Sequence, residues 1–256
     1  MEMLVSWRDI ELARETIKGC GVVVRTPLLR NVEQMFGFED RFKLHLKMEN
    51  MQNTGSFKIR GVVNQFANIP SVITENKKSL VSMSAGNYGK AFALATKEQN
   101  LPAILCMPET APINRAKLIE SFGVKVERMP TSEIQDAVDL HVAEDGMHFL
   151  HPFDDLHLIS GFARYHLFSK QSAGKKTFQH VKEYVEDIVL VTDEEIKRAV
   201  KTFYQAGLVV EPSGAAAFAA LQAKKIPDLS EGSNVVAIVT GGNVTPEELC
   251  DLMNCN

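Results

Sequence analysis

Asn53-Thr54-Gly55-Ser56-Phe57-Lys58-Ile59-Arg60-Gly61 sets one lysine just past a small, polar turn, at the point where a helix begins. A lysine there lies near a helix N-terminus, whose positive dipole end disfavours a second positive charge. Shielding from water would favour the neutral amine further, and a neutral amine is a nucleophile. This is the address of a Schiff-base lysine. The plain alternative is a solvated helix lysine, so the neighbouring sequence has to decide.

Outward from this loop, helical and strand-like patterns alternate. Phe42 to Met48 alternates apolar with basic or polar residues and predicts a strand with one buried face. The lysine loop and a helix through Ala67 follow. Leu80 to Met83 reads as a short strand leading into Ser84-Ala85-Gly86-Asn87, and a small-residue helix runs from Tyr88 to Lys97. Strands are expected at Pro102–Met107, Val124–Met129, Asp187–Val191 and, buried, at Asn234–Thr240. Helices are expected at Ile10–Ile17 with Asp9 as N-cap, at Asn114–Phe122, and from a Thr131 or Ser132 cap to about Glu144. Two more are expected at Asp193–Ala206 and Pro212–Ala223. This rhythm implies an α/β fold with mostly parallel sheets. In such sheets ligands bind beyond the carboxyl ends of strands. Three glycine-containing polar loops hold that position: Asn50–Lys58, Ser84–Gly89 and Thr240–Asn243.

Composition narrows the class. The 256 residues can bury a large core, and 45% of them are hydrophobic against 23% charged. A net charge of -4 offers no global basic field for nucleic acid. No apolar run is long enough to span a bilayer, and the N-terminus becomes charged before an apolar core develops. The cysteines Cys20, Cys106, Cys250 and Cys255 lack CxxC spacing, so free thiols in a reducing cytoplasm are expected. His148 and His151 share a face without further ligands nearby in sequence, so no metal is assigned. No GxGxxG follows a strand, which removes a dinucleotide site.

The approach Leu46-Lys47-Met48-Glu49-Asn50 and the run TGSFKIRG resemble the signature of fold-type II pyridoxal-phosphate enzymes, within them the serine/threonine dehydratase and serine racemase family. Arg25-Thr26-Pro27-Leu28, SAGNYG at 84–89, His151-Pro152-Phe153-Asp154-Asp155, Glu211-Pro212-Ser213-Gly214 and TGGN at 240–243 extend the resemblance over most of the chain. It implies a two-domain architecture like the tryptophan synthase β chain. Residues 53–151 would form a small mobile domain, and 1–52 with 152–256 a larger one. It implies pyridoxal 5'-phosphate as cofactor, carried by Lys58, which also acts as base at the substrate Cα. Phe57 would pack near the cofactor ring and Asn87 would bond its phenolic oxygen. Thr240 would meet the pyridine nitrogen, with Glu211 close by, and Ser84, Ala85, Gly86 and Asn87 would receive the substrate carboxylate. A neutral Thr240 cannot hold a proton on the ring nitrogen as an aspartate would, which suits β-elimination. The partner is then a small amino acid, with no nucleic acid and no membrane, and a homodimer is in keeping with the family.

Two departures stand out. At Ala85 the racemases of this family supply a serine opposite the lysine, and racemisation needs proton-moving groups on both faces. Alanine favours a dehydratase acting on L-serine, L-threonine or a related 3-hydroxy amino acid, with a racemase as the weaker reading. The second departure follows Gly161. The family carries a glycine-rich phosphate loop after this segment. Here the sole adjacent glycine pair is Gly241-Gly242, and Lys175 onward already resembles a later region. Several dozen residues are therefore expected to be absent, leaving the larger domain incomplete with an open sheet edge. A shortened, non-catalytic chain that pairs with a full-length subunit is the competing expectation. Ser172-Ala173-Gly174-Lys175-Lys176 reads as a surface loop rather than a substitute phosphate site.

Overall fold

A computed structural model describes residues 4–38, 42–162, 174–227, 229 and 231–253. In chain order the elements are α1 (Trp7–Gly19), β1 (Leu28–Leu29), β2 (Phe42–Met48), α2 (Lys58–Ala67), α3 (Ser71–Glu75), β3 (Leu80–Met83), α4 (Asn87–Gln99), β4 (Ala103–Pro108), α5 (Ile113–Glu120) and β5 (Lys125–Met129). There follow α6 (Ile134–Ala143), β6 (His148–Phe149), α7 (Leu156–Phe162), α8 (Lys175–Tyr184), α9 (Asp193–Gln205), α10 (Pro212–Gln222), β7 (Ser233–Val239) and α11 (Pro246–Met253). Short 3-10 turns cover 34–36, 49–51 and 131–133.

The chain divides into two compact units, residues 1–23 with 58–184, and residues 24–57 with 185–256. The sequence expectation of 53–151 for the smaller domain differs from this at both ends. Helix α1 packs on α2 and α7, which groups it with the lysine-bearing unit.

The first unit holds a parallel sheet in the order β5-β4-β3-β6. One face carries an apolar cluster from α2 and α4, including Ile59, Val62, Phe66, Phe92, Leu80 and Leu105. The other face packs Val81, Ile104 and Cys106 against Ile134 and Val138 of α6. Both faces are covered, as a parallel sheet requires. Helices α2 and α7 approach so closely that a Cβ on Gly161 would lie 2.6 Å from the Gly61 Cα.

The second unit holds a sheet in the order β1-β2-β7, antiparallel then parallel. Its core joins Leu44, Leu46 and Met48 of β2 to Phe203 of α9 and Phe218 of α10. Phe203 and Phe218 lie 4.5 Å apart, centroid to centroid.

Four expectations are corrected. The cap of α1 is Ser6, not Asp9; Asp9 is the third helical residue, whose carboxylate returns a bond to the Ser6 N–H in a capping box. Residues 187–191 form no strand: no neighbouring backbone pairs with them among the described residues, and Ile188 and Leu190 are exposed. Strand β7 was expected to be buried, yet it pairs on one side alone among the described residues, and Val236 is 55% exposed. Of the 172–176 run, residues 172 and 173 lie outside the described residues, while Lys175 opens α8 rather than a loop. The Asp154 carboxylate already accepts the Lys176 and Thr177 N–H groups at the start of that helix, at 2.9 and 3.3 Å.

Candidate active site

Lys58 and Ser84–Asn87 belong to the first unit; Phe57, Glu211 and Thr240 belong to the second. The division falls at the Phe57–Lys58 peptide.

Lys58 is the first residue of α2 and partly exposed. Its ammonium lies 4.8 Å from the centre of the Phe162 ring, a cation–π contact from α7. The closeness that brings Phe162 there comes from two glycines. A Cβ on Gly61 would strike the Phe162 ring, and one on Gly161 would strike the Gly61 backbone. Nothing local in the sequence marks Phe162, because its position depends on the crossing of α7 over α2.

The SAGNYG loop links β3 to α4. The Ser84 hydroxyl accepts the N–H groups of Gly86 and Gly89, both at 3.1 Å, so it is engaged in closing its own loop. Ala85 is exposed and Asn87 opens α4. Gly86 precedes the helix with φ -149°, a backbone without a side-chain cap. A Cβ on Gly89 would meet Leu105 and Ile119, which explains the second glycine of the motif. Tyr88 turns inward and donates to Gln65 Oε1 at 2.9 Å, and Gln65 in turn donates to the His151 carbonyl. Burial pushes the Tyr88 phenol far up, so it remains a neutral donor. The HPFDD motif is a structural corner. The ring of His151 accepts from Asp154 N–H at 2.9 Å, and Asp155 accepts from Leu158 N–H at 2.7 Å at the start of α7.

In the second unit the lysine loop is strapped to TGGN along its length. Asn243 Nδ2 donates to the Thr54 carbonyl at 2.8 Å and Gly242 N–H to the Gly55 carbonyl at 2.9 Å. Ser56 bridges Gly241, and Phe57 N–H donates to the Thr240 carbonyl at 3.0 Å. Gly55 has φ +72°, and a Cβ on it would collide with the Asn243 side chain. Glu211 N–H donates to the Gly241 carbonyl at 3.1 Å, and the Glu211 carboxylate accepts from Ser213 at 2.8 Å. Phe57, Thr240 and Glu211, far apart in sequence, are thus brought together and buried. The Thr240 hydroxyl reaches the Ser213 carbonyl at 3.5 Å, the outer limit of a hydrogen bond. The Arg-Thr-Pro-Leu motif serves this loop from beneath. Thr26 Oγ1 donates at 2.6 Å to fully buried Glu49, which Gln52 also bonds and Lys47 approaches to 3.7 Å.

Taken unit by unit, the groups are of the types that the ring end of a pyridoxal cofactor takes: in the first, Lys58 supplies an amine at a helix start; in the second, Thr240 supplies a neutral hydroxyl at a strand end and Ser56 Oγ a buried hydroxyl without a hydrogen-bond partner among the described residues. The phosphate end has no glycine-rich counterpart in the sequence.

Parallel-paired strands that end in glycine-containing loops, one of them leading to the lysine, are in keeping with a fold-type II pyridoxal-phosphate enzyme. The chain belongs to the family of pyridoxal-phosphate dependent enzymes, whose model matches residues 21–167 and 166–241. That match comes in two pieces meeting at 166–167, a point outside the described residues. The catabolic L-threonine dehydratase of Staphylococcus aureus is 29% identical, the alignment spanning 94% of this chain and 90% of the relative. It runs over 315 positions, more than the 256 residues present, so several dozen positions of that enzyme have no counterpart here. Among solved structures, the serine racemase of Dictyostelium discoideum superposes with a TM-score of 0.80 at 24% identity, covering 94% of this chain and 99% of that one. The processed threonine deaminase isoform 2 of Solanum lycopersicum gives 0.79 at 21% identity, covering 98% and 89%.

Proposed function

We propose that this chain is a dehydratase that converts L-serine, L-threonine or a related 3-hydroxy amino acid to the 2-oxo acid and ammonia. The observation that carries the choice is Ala85, an exposed methyl in the loop where racemases of the family have a proton-relaying serine. Pyridoxal phosphate, when bound, supplies the electron sink for negative charge at the substrate Cα.

The chain's own residues do the rest. Lys58, Asn87, Phe57, Thr240 and Glu211 would hold the ring. The Ser84–Asn87 loop would bind the substrate carboxylate through backbone N–H groups at the start of α4. Lys58 Nζ moves the proton at Cα from one face. The neighbouring Ser84 is held within its own loop, where its oxygen accepts the Gly86 and Gly89 N–H groups. The substrate loses its 3-hydroxyl as water, and one water is taken up when ammonia leaves. The relatives named for threonine dehydration support this reading, and a cytoplasmic metabolic role with a homodimeric assembly accords with it.

A second reading rests on the two-piece match and the exposed edge of β7. In it the chain binds cofactor weakly and works by pairing with a full-length subunit. Reconstitution with pyridoxal phosphate separates the two. The first reading expects a visible absorbance band, 2-oxo acid from L-serine or L-threonine, and no D-serine at a comparable rate. Lys58→Ala should remove the band and lower turnover on the order of 10³-fold. A colourless protein that makes no 2-oxo acid supports the second reading and sinks the first.

A further inference from the structure

On the face of the first unit's sheet that α6 covers, three side chains of different elements converge. Cys106 on β4 and Glu127 on β5 are direct cross-strand partners, so their side chains stand together on one face. His141, in the last turn of α6, lies over them. One ligand atom from each of the three lies within 4.8 Å of the others.

We infer that Cys106, Glu127 and His141 form a zinc-class metal site that clips α6 to strands β4 and β5.

The donor set chooses the metal. Thiolate, imidazole and carboxylate together suit Zn(II), which takes these ligands at about 2.0–2.3 Å in a tetrahedron. Hard cations such as Mg(II) or Ca(II) prefer all-oxygen sites. Closing a tetrahedron requires ligand separations of roughly 3.5 Å, so His141 Nε2 and Glu127 Oε2, 2.9 Å apart, need to part slightly while any separation near the 4.8 Å limit draws in by about 1 Å. The partners around the ring are already arranged for it. Asp145 Oδ2 stands 2.7 Å from His141 Nδ1, and Glu127 Oε2 stands 2.9 Å from Nε2. Carboxylate–imidazole–metal chains use this arrangement, with the carboxylate on the far nitrogen fixing the ring. A neutral imidazole has one N–H and can satisfy one carboxylate, so its other nitrogen turns a lone pair toward the second. The pocket therefore calls for positive charge between His141 and Glu127. Lys125 supplies none there, because its ammonium bonds the other oxygen, Glu127 Oε1, at 2.8 Å from an exposed position.

A dication entering the cluster displaces the thiol proton and the imidazole proton it finds there. Cys106 is fully buried in an apolar patch with Val81, Ile104, Ile134 and Val138. Glu127 and His141 keep 24% and 15% of their side chains exposed, so a metal has a way in from the helix end. The fourth ligand is water. None of these residues belongs to the lysine loop, SAGNYG or TGGN. The inference is therefore independent of the catalytic reading.

Cobalt(II) titration of the purified, chelator-treated chain tests it, followed as a difference spectrum with reductant that does not bind metal. One equivalent should give a thiolate-to-cobalt charge-transfer band and intense tetrahedral d–d absorption, both bleached by Zn(II). Cys106→Ser should lose the charge-transfer band. His141→Gln, at a partly exposed position and checked for native circular dichroism, should weaken affinity at least tenfold. Asp145→Asn should weaken it 10–100-fold. A band that persists in Cys106→Ser and His141→Gln belongs to the other cysteines and overturns the assignment. A weak octahedral spectrum, or no saturable spectrum at stoichiometric cobalt, overturns it equally.

Discussion

The two units differ in how their sheets end. In the lysine-bearing unit both faces of the four-stranded sheet are packed, and its central strands β3 and β4 are buried. In the other, the three-stranded sheet stops at β7, whose Val236 faces solvent. The family model matches this chain in two pieces, and the alignment with the Staphylococcus dehydratase leaves several dozen positions empty. Among the described residues β7 pairs on one side alone, while the lysine loop and the Ser84–Asn87 loop are both present. Local motif chemistry and completeness of the sheet are separable properties of one fold.

The contrast can be broken first at the glycines. In the lysine-bearing unit, Gly161→Ala sets a methyl against the Gly61 backbone; in the other, Gly214→Ala sets one against the Gly241 carbonyl. Neither backbone can move aside cheaply, so each should cost about 1–3 kcal/mol in denaturant unfolding. If the unit with the open edge is the softer one, Gly214→Ala will cost less than Gly161→Ala. Equal costs would show that the edge leaves the second unit's interior as tight as the first's.

Capping boxes give a matched pair of smaller size. Ser6 with Asp9 starts α1, and Thr192 with Glu195 starts α9. Ser6→Ala and Thr192→Ala should each cost about 1 kcal/mol. The acidic partners carry a pH signature. Hydrogen bonds from Ser6 hold Asp9 below its ordinary value, and a bond from Lys225, then Thr192, does the same for Glu195. A depressed carboxyl contributes stability that is complete above its unfolded pKa and lost as pH falls through its folded one. The stability of the parent should therefore decline below about pH 4.5, the ordinary glutamate range. Part of that decline should vanish in Glu195→Gln, which removes the titrating carboxyl. An unchanged acid slope would remove Glu195 from the explanation.

The smallest effect on stability is expected at the edge itself. Val236→Lys should change unfolding free energy by no more than about 0.5 kcal/mol, because the side chain is exposed. Its effect on self-association should be larger, since a lysine on an open strand discourages pairing. Sedimentation of parent and variant at matched concentrations reads this directly. Identical sedimentation would mean that the β7 edge mediates no association.

Much of this protein was legible in its sequence. The period-two pattern of Phe42–Met48 gave a strand with those bounds, and Lys58–Ala67 gave a helix beginning at the lysine. Both follow from local alternation and turn residues, which the chain carries in itself. The strand expected at 187–191 failed because β structure needs a neighbour, and none pairs with it among the described residues. Phe162 beneath Lys58, the strapping of Thr54–Phe57 to Thr240–Asn243, and the meeting of Cys106, Glu127 and His141 were invisible for a related reason. Each joins residues far apart in the chain through helix crossing or strand register. The sequence by itself determined the chemistry available at each loop. Tertiary structure decided which groups share a space, because only packing converts sequence separation into distance.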